Sequence, residues 1–303
     1  MPVATGVGFA LIAIAYRLGQ TRGVGPPQIV LLISVAGAVY FGVAAWPFDL
    51  AGLPPLVLAF GVVAGLGQYL GVKLIRPILD RGPLSPLWCA MSLYFLPASL
   101  YAYLVWGERI RAHQYAAIAA AVACVVIASI GQGRNAPSES DHARPDHPVR
   151  RKLLYGLMLV GVLIFNSLMA VCIKDLGTRP APEGGSYMDH HGHVMYLIFY
   201  AALGAAILPD LLITRAYRVP LRSALLLGLL GSAGSIGGLV ALRVCAAYPA
   251  AVVFTIAGVT SILTVAVVSV LALGEKADAT WYGTVATGVL AVILANLNGF
   301  GAP

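Results

Sequence analysis

Ten apolar runs follow one another along the chain, at roughly 3–20, 26–46, 55–75, 84–107, 112–131, 153–174, 192–213, 222–242, 249–273 and 279–299. Each is close to the ~20 residues that a helix needs to cross the hydrocarbon of a bilayer. Most of the breaks between them fall at strong punctuation: Gly25-Pro26-Pro27, the stretch from Pro47 to Pro55, Arg81-Gly82-Pro83 and Tyr248-Pro249. Because lipid offers no partner for a backbone N–H or C=O, such runs are read as α-helices that satisfy their own hydrogen bonds. The 303 residues are 59% hydrophobic and 10% charged. A soluble domain carries about 25% charged residues, so a soluble fold, a disordered chain and a disulfide scaffold are all excluded. The expectation is an all-α polytopic membrane protein with ten transmembrane helices.

The charges report topology. The net charge of +7 comes from Lys and Arg placed between the apolar runs, with no basic face that would suit nucleic acid. Assigned to alternate loops, thirteen basic residues, Arg17 through Lys276, fall on one side and five (Arg109, Arg111, Lys174, Arg179, Arg243) on the other. By the positive-inside rule the first side is cytoplasmic and both termini lie outside. Met1 to Ala15 lacks a basic leader and reads as a first helix, not a cleaved signal. The four cysteines, Cys89, Cys124, Cys172 and Cys245, lie within apolar runs at wide spacing and read as packing residues.

The two halves repeat. An offset of 167 places Trp106-Gly107-Glu108-Arg109 on Leu273-Gly274-Glu275-Lys276, and Tyr115 on Tyr282. The same register pairs Gly25 with Gly192, Gly37 with Gly204, Gly67 with Gly234, Gly71 with Gly238 and Arg76 with Arg243. In the first span of each half the offset drops to 157, which pairs Arg17 with Lys174 and implies about ten inserted residues in the Gly177 to His191 loop. The units are therefore 1–133 and 153–303, each of five spans, joined by a polar linker at 134–152. Five is odd, so the second copy enters from the opposite side and the repeats are inverted, an arrangement that supports alternating access.

Leu104-Val105-Trp106-Gly107-Glu108-Arg109 and Leu271-Ala272-Leu273-Gly274-Glu275-Lys276, each followed by a Gly/Ala-rich helix, together with Pro97 in mid-span, resemble the drug/metabolite transporter superfamily and its EamA-like ten-helix branch. The resemblance covers essentially the whole chain. It implies a permease that moves a small metabolite, amino acid or drug by secondary transport across the cell inner (plasma) membrane, often with a coupling proton. It implies neither a cofactor nor an enzymatic activity. A membrane enzyme would need a catalytic set at one depth, and no nucleophile elbow, paired carboxylates or metal-binding helix motif is present. The other alternative is a non-transporting membrane scaffold. A homodimer stays open.

Polar groups at mid-membrane depth are costly and so are candidates for solute binding. Gln68, Tyr69, Asn166 and Ser235 fall near the centres of their spans, and Gln68 and Ser235 are repeat equivalents. Tyr94 and Tyr101, seven apart, share a helix face; they either line a cavity or pack. The alternative role for the polar set is hydrogen bonding between helices. Lys73 either snorkels to the interface or supplies an anion-binding charge, while Arg76 and Arg243 at helix C-termini complement the dipole or hold a gate. Glu108 and Glu275 sit between helices, where a carboxylate favours the following helix and can pair with Arg109 or Lys276; no other carboxylate is central enough to carry a coupling proton. Asp189, His190, His191 and His193 form the one cluster with metal-ligand chemistry. Gly67/Gly71 and Gly234/Gly238 are GxxxG pairs that would give spans three and eight matching close contacts.

Overall fold

The computed structural model describes residues 1–47, 52–79, 91, 93–135, 148–213, 219–245, 248–271, 277 and 279–297. Among them are the helices α1 (Pro2–Thr21), α2 (Pro26–Ala44), α3 (Pro55–Leu79), α4 (Phe95–Val105) and α5 (Ala112–Asn135). The second half supplies α6 (Pro148–Thr178), α7 (Tyr187–Ile213), α8 (Leu221–Val244), α9 (Ala250–Leu271) and α10 (Ala279–Asn296). The described residues contain no strand beyond one bridge, Pro180 to Ser186. Among the described residues seven helices are long and apolar enough to cross a membrane, and the described apolar stretches of α4, α5 and α10 are shorter. The molecule is thus a helical, multi-pass membrane design. Prolines at the first helical positions of α1 and α2 explain their sharp starts, since proline lacks only an N–H that would be orphaned there anyway.

Helix ends depart from expectation in both long loops; in the linker at 134–152, α5 runs through Asn135 and α6 begins at Pro148. The predicted loop from Gly177 to His191 is nearly half helix: α6 runs through Thr178 and α7 begins at Tyr187. The cause of the early start of α7 is a capping box. Ser186 N–H and Oγ–H both donate to Asp189 Oδ2, at 2.9 and 2.7 Å, and the Asp189 N–H donates back to Ser186 Oγ at 3.3 Å. The remaining eight residues turn through Gly184 and Gly185, whose φ of +91° and +67° suit glycine alone.

The packing is mediated by small residues. Helix α1 lies against α8 and α9, and α6 lies against α3 and α4. Helix α2 packs on α7 and α8, α7 packs on α2 and α3, and α5 pairs with α10. A Cβ on Gly8 would lie 2.6 Å from the Gly234 carbonyl oxygen and 2.8 Å from the Gly238 amide, so α1 and α8 meet backbone to backbone. On the other flank a Cβ on Gly67 would lie 2.6 Å from Leu168 Cδ1, and one on Gly71 would touch Phe165. The two glycine pairs therefore make their close contacts on α6 and α1 respectively. Where α2 crosses α7, Gly37 seats the Tyr200 ring, which would lie 2.6 Å from an added Cβ, and Gly204 faces Ser34.

Candidate functional site

Tyr94 stands where the chain enters α4. Its carbonyl accepts from Ser167 Oγ at 2.9 Å, and the Met91 carbonyl accepts from Asn166 Nδ2 at 3.2 Å, so two adjacent residues of α6 hold the start of α4 in place. The Tyr94 ring meets Phe9 of α1 and Phe254 of α9 edge to face, with centroids 6.2 and 6.4 Å away. Its hydroxyl is buried and has no hydrogen-bond partner among the described residues. The same holds for Ser99 on α4 and Thr255 on α9, two helices that pack together.

These hydroxyls differ from other helical ones in the molecule. Ser34, Ser167, Ser232 and Thr264 donate to carbonyls one turn back, at 2.8, 2.7, 2.6 and 2.8 Å. Ser99 and Thr255 do not, although their helices offer the same acceptors. A buried unpaired hydroxyl costs about 1–3 kcal/mol, a cost that a polar partner at any of the three would recover.

The other expected solute contacts are distributed. Ser235 Oγ and Tyr200 Oη share a hydrogen bond of 2.6 Å between α8 and α7. Tyr200 stacks on Phe41 of α2 at 5.8 Å, and Tyr196 packs on the same ring while donating to the Leu239 carbonyl. Asn166 and Tyr94 thus belong to the α4–α6 contact and Ser235 to the α7–α8 contact, with no hydrogen bond among the described residues joining the two groups. Gln68 is half-buried on α3. Tyr101 packs edge to face on Trp106, 4.8 Å between centroids, at the far end of α4 from Tyr94. Tyr69 points to α7, where its hydroxyl donates to Asp210 Oδ2 at 2.6 Å and accepts from Lys73 Nζ at 2.9 Å.

One end of the bundle is closed by ions. Gly107, at φ +65°, turns the chain out of α4 and aims Glu108 across the bundle. Expected to serve the following helix and to pair with Arg109, Glu108 instead accepts the Ala250 N–H at the start of α9, 2.9 Å away, and pairs with Lys174 at 2.8 Å. The reason is energetic: Lys174 is buried at 4% side-chain exposure and needs an anion, whereas Arg109 is not buried. Lys174 also donates to the Tyr248 carbonyl at 2.8 Å. Next to it Asp175, fully buried, pairs with Arg179, and the hydrogen bond to this carboxylate holds the guanidinium above its ordinary pKa. Arg243 reaches from the end of α8 to the Met188 and Asp189 carbonyls in the first turn of α7. The side chain of Arg76, and Glu275 with Lys276, lie outside the described residues.

The histidine cluster is dispersed. Asp189 caps α7, the ring of His190 donates from Nε2 to the Gly184 carbonyl at 2.6 Å, His191 lies by Tyr187, and His193 packs on Phe41. His190 and His191 remain ring neighbours, with centroids 6.4 Å apart, but each of the four side chains has its own separate contact. Among the described residues no three His, Cys, Asp or Glu side chains converge as metal ligands do.

Sequence reasoning missed Ser167, Ser99, Thr255 and the partnership of Lys174 with Glu108. The only signal for the last was the 157 offset, which pairs Lys174 with a second cation, Arg17, at the same repeat position.

No protein-family model matches this chain, and no curated protein does. Among solved structures 23 chains match. One, described as "Crystal structure of protein", aligns with a TM-score of 0.65 and 16% identity over 97% of this chain and 96% of its own. At that identity the likeness establishes one thing: the chain shares its helical fold, end to end, with a protein of known structure.

Proposed function

We propose that the chain is a secondary transporter of the drug/metabolite type, ten spans in two inverted five-helix repeats, moving a small polar solute through the region around Tyr94 by alternating access. One observation carries this reading. The offsets found in the sequence, 157 for the first span of each half and 167 thereafter, turn Gly8 into Phe165, Leu11 into Leu168, Gly234 into Gly67 and Gly238 into Gly71. The α1–α8 crossing brings together Gly8, Leu11, Gly234 and Gly238; the α6–α3 crossing brings together Phe165, Leu168, Gly67 and Gly71. The other helix contacts follow suit: α1 on α9 answers α6 on α4, and α3 on α7 answers α8 on α2. Two crossings built from equivalent residues give two packings of similar energy, which is what a carrier that opens alternately to each side requires. The unpaired hydroxyls of Tyr94, Ser99 and Thr255 supply donors and acceptors for a solute at the α4–α9 contact.

Two experiments test it. In a background with Cys89, Cys124, Cys172 and Cys245 replaced, Gly23→Cys and Glu183→Cys should react with impermeant maleimide from opposite faces of the membrane, the first from the cytoplasm; labelling from one face alone overturns the inverted arrangement. In proteoliposomes, a metabolite panel with and without a pH gradient should reveal a solute whose flux falls at least ~10-fold in Tyr94→Ala, the loss expected when about 1.4 kcal/mol of binding goes. Absence of flux for every class of small metabolite overturns the transport reading.

A further inference from the structure

Lys73, Tyr69 and Asp210 form a second polar cluster, and its surroundings differ from those of the first. On α3 the exposed residues Val63, Leu66, Leu70 and Lys73 recur at intervals of three and four, a single outward stripe. In a membrane-spanning bundle an outward stripe of leucine and valine faces lipid, and Lys73 continues it. On the neighbouring α7, Leu208 and Leu212 flank Asp210 and are exposed as well. The ammonium lies 3.2 Å from the carboxylate, and the two side chains keep 55% and 39% of their surface open. Lys73 is eighteen residues beyond Pro55, about 27 Å along the helix at 1.5 Å per residue. That is the thickness of the hydrocarbon, so the pair sits at headgroup level on the side rich in loop cations.

The geometry points to a binding site for one phospholipid with a primary-amine headgroup, such as phosphatidylethanolamine, seated on the α3–α7 surface. Lys73 donates to the lipid phosphate, and the Asp210 carboxylate accepts from the lipid ammonium. Tyr69, whose hydroxyl bonds both side chains, holds them at a fixed spacing. The choice among headgroups follows from charge. The cluster presents one positive and one negative group side by side, which match the phosphate and the ammonium of a zwitterion. Phosphatidylglycerol brings a phosphate but offers Asp210 only neutral hydroxyls, weaker partners for a carboxylate than an ammonium. Phosphatidylcholine brings a cation whose methyl groups cannot donate an N–H hydrogen bond to the carboxylate. The acyl chains would lie along the Val63–Leu66–Leu70 stripe.

The test is lipid titration of the full chain in detergent, read by native mass spectrometry, with lipids of identical acyl chains. The wild type should bind a first phosphatidylethanolamine at least ~3-fold more tightly than phosphatidylcholine or phosphatidylglycerol, the range of a partly exposed charge pair. Asp210→Asn should erase the ethanolamine preference over choline, and Lys73→Gln should weaken both lipids by a similar factor. Equal binding of the three lipids by the wild type, a measurement that needs no variant, overturns the proposal. So does an ethanolamine preference that survives in a folded Asp210→Asn protein.

Discussion

Replacing Gly8 with leucine should abolish the folded protein, whereas replacing Gly237 with leucine should leave it intact. Both glycines lie in apolar helices that pack against each other, and both changes add the same apolar side chain. They differ in what the side chain meets. A Cβ on Gly8 would run into the backbone of Gly234 and Gly238, and backbone atoms of a packed helix cannot rotate aside; a Cβ on Gly237 meets nothing within 4 Å. Overpacking commonly costs about 1–3 kcal/mol when side chains can yield, so the Gly8 substitution should exceed that range. The measurement is the monodisperse yield and thermal midpoint of each variant in detergent. A Gly8→Leu protein as stable as wild type would show that α1 and α8 do not approach as described.

Lys174→Met should destabilise the protein by about 3–5 kcal/mol, the cost of stranding one partner of a buried ion pair. Lys174 is 4% and Glu108 23% exposed, and the pair also ties the α8–α9 turn, through the Tyr248 carbonyl, to the chain after α4. Glu108→Gln should cost at least as much, because it takes the anion from Lys174, the more deeply buried partner, although the amide oxygen can still accept from the Ala250 N–H. The double change Glu108→Gln with Lys174→Met should recover most of the loss, since neither member of this pair then strands the charge of the other. Thermal unfolding of the four proteins gives the coupling directly. Additive effects of the two substitutions would remove the ion pair from the account of this end of the bundle.

The helices were legible because the bilayer imposes a length and a composition on each of them. Their contacts were legible only where the residues are small: Gly67, Gly71, Gly234 and Gly238 mark crossings because a helix can approach another closely only over residues without bulk. The partners of charged side chains were not. Glu108 and Lys174 are 66 positions apart, and nothing local couples them. Local chemistry pointed instead to Arg109, next in the chain. The Asp189–His193 segment misled for the opposite reason. Proximity in sequence suggested a shared ligand, but the capping box at Ser186 starts a helix there, and a helix sends consecutive side chains in different directions. Tyr94 was identified from its spacing to Tyr101, although the trait that singles it out, a buried hydroxyl with nothing to bond, is a property of the packed bundle.

The ionic cluster on α3 and α7 has no twin. The 167 offset carries Tyr69 and Lys73 to Ile236 and Val240 on α8, and carries Val43 on α2 to Asp210. Drawing α3 away from α7 ruptures hydrogen bonds between an ammonium, a phenol and a carboxylate; drawing α8 away from α2 at the matching place parts only hydrocarbon. Under the alternating access proposed above, the two excursions would therefore start from unequal ground, and the one that parts Lys73 from Asp210 would be the costlier.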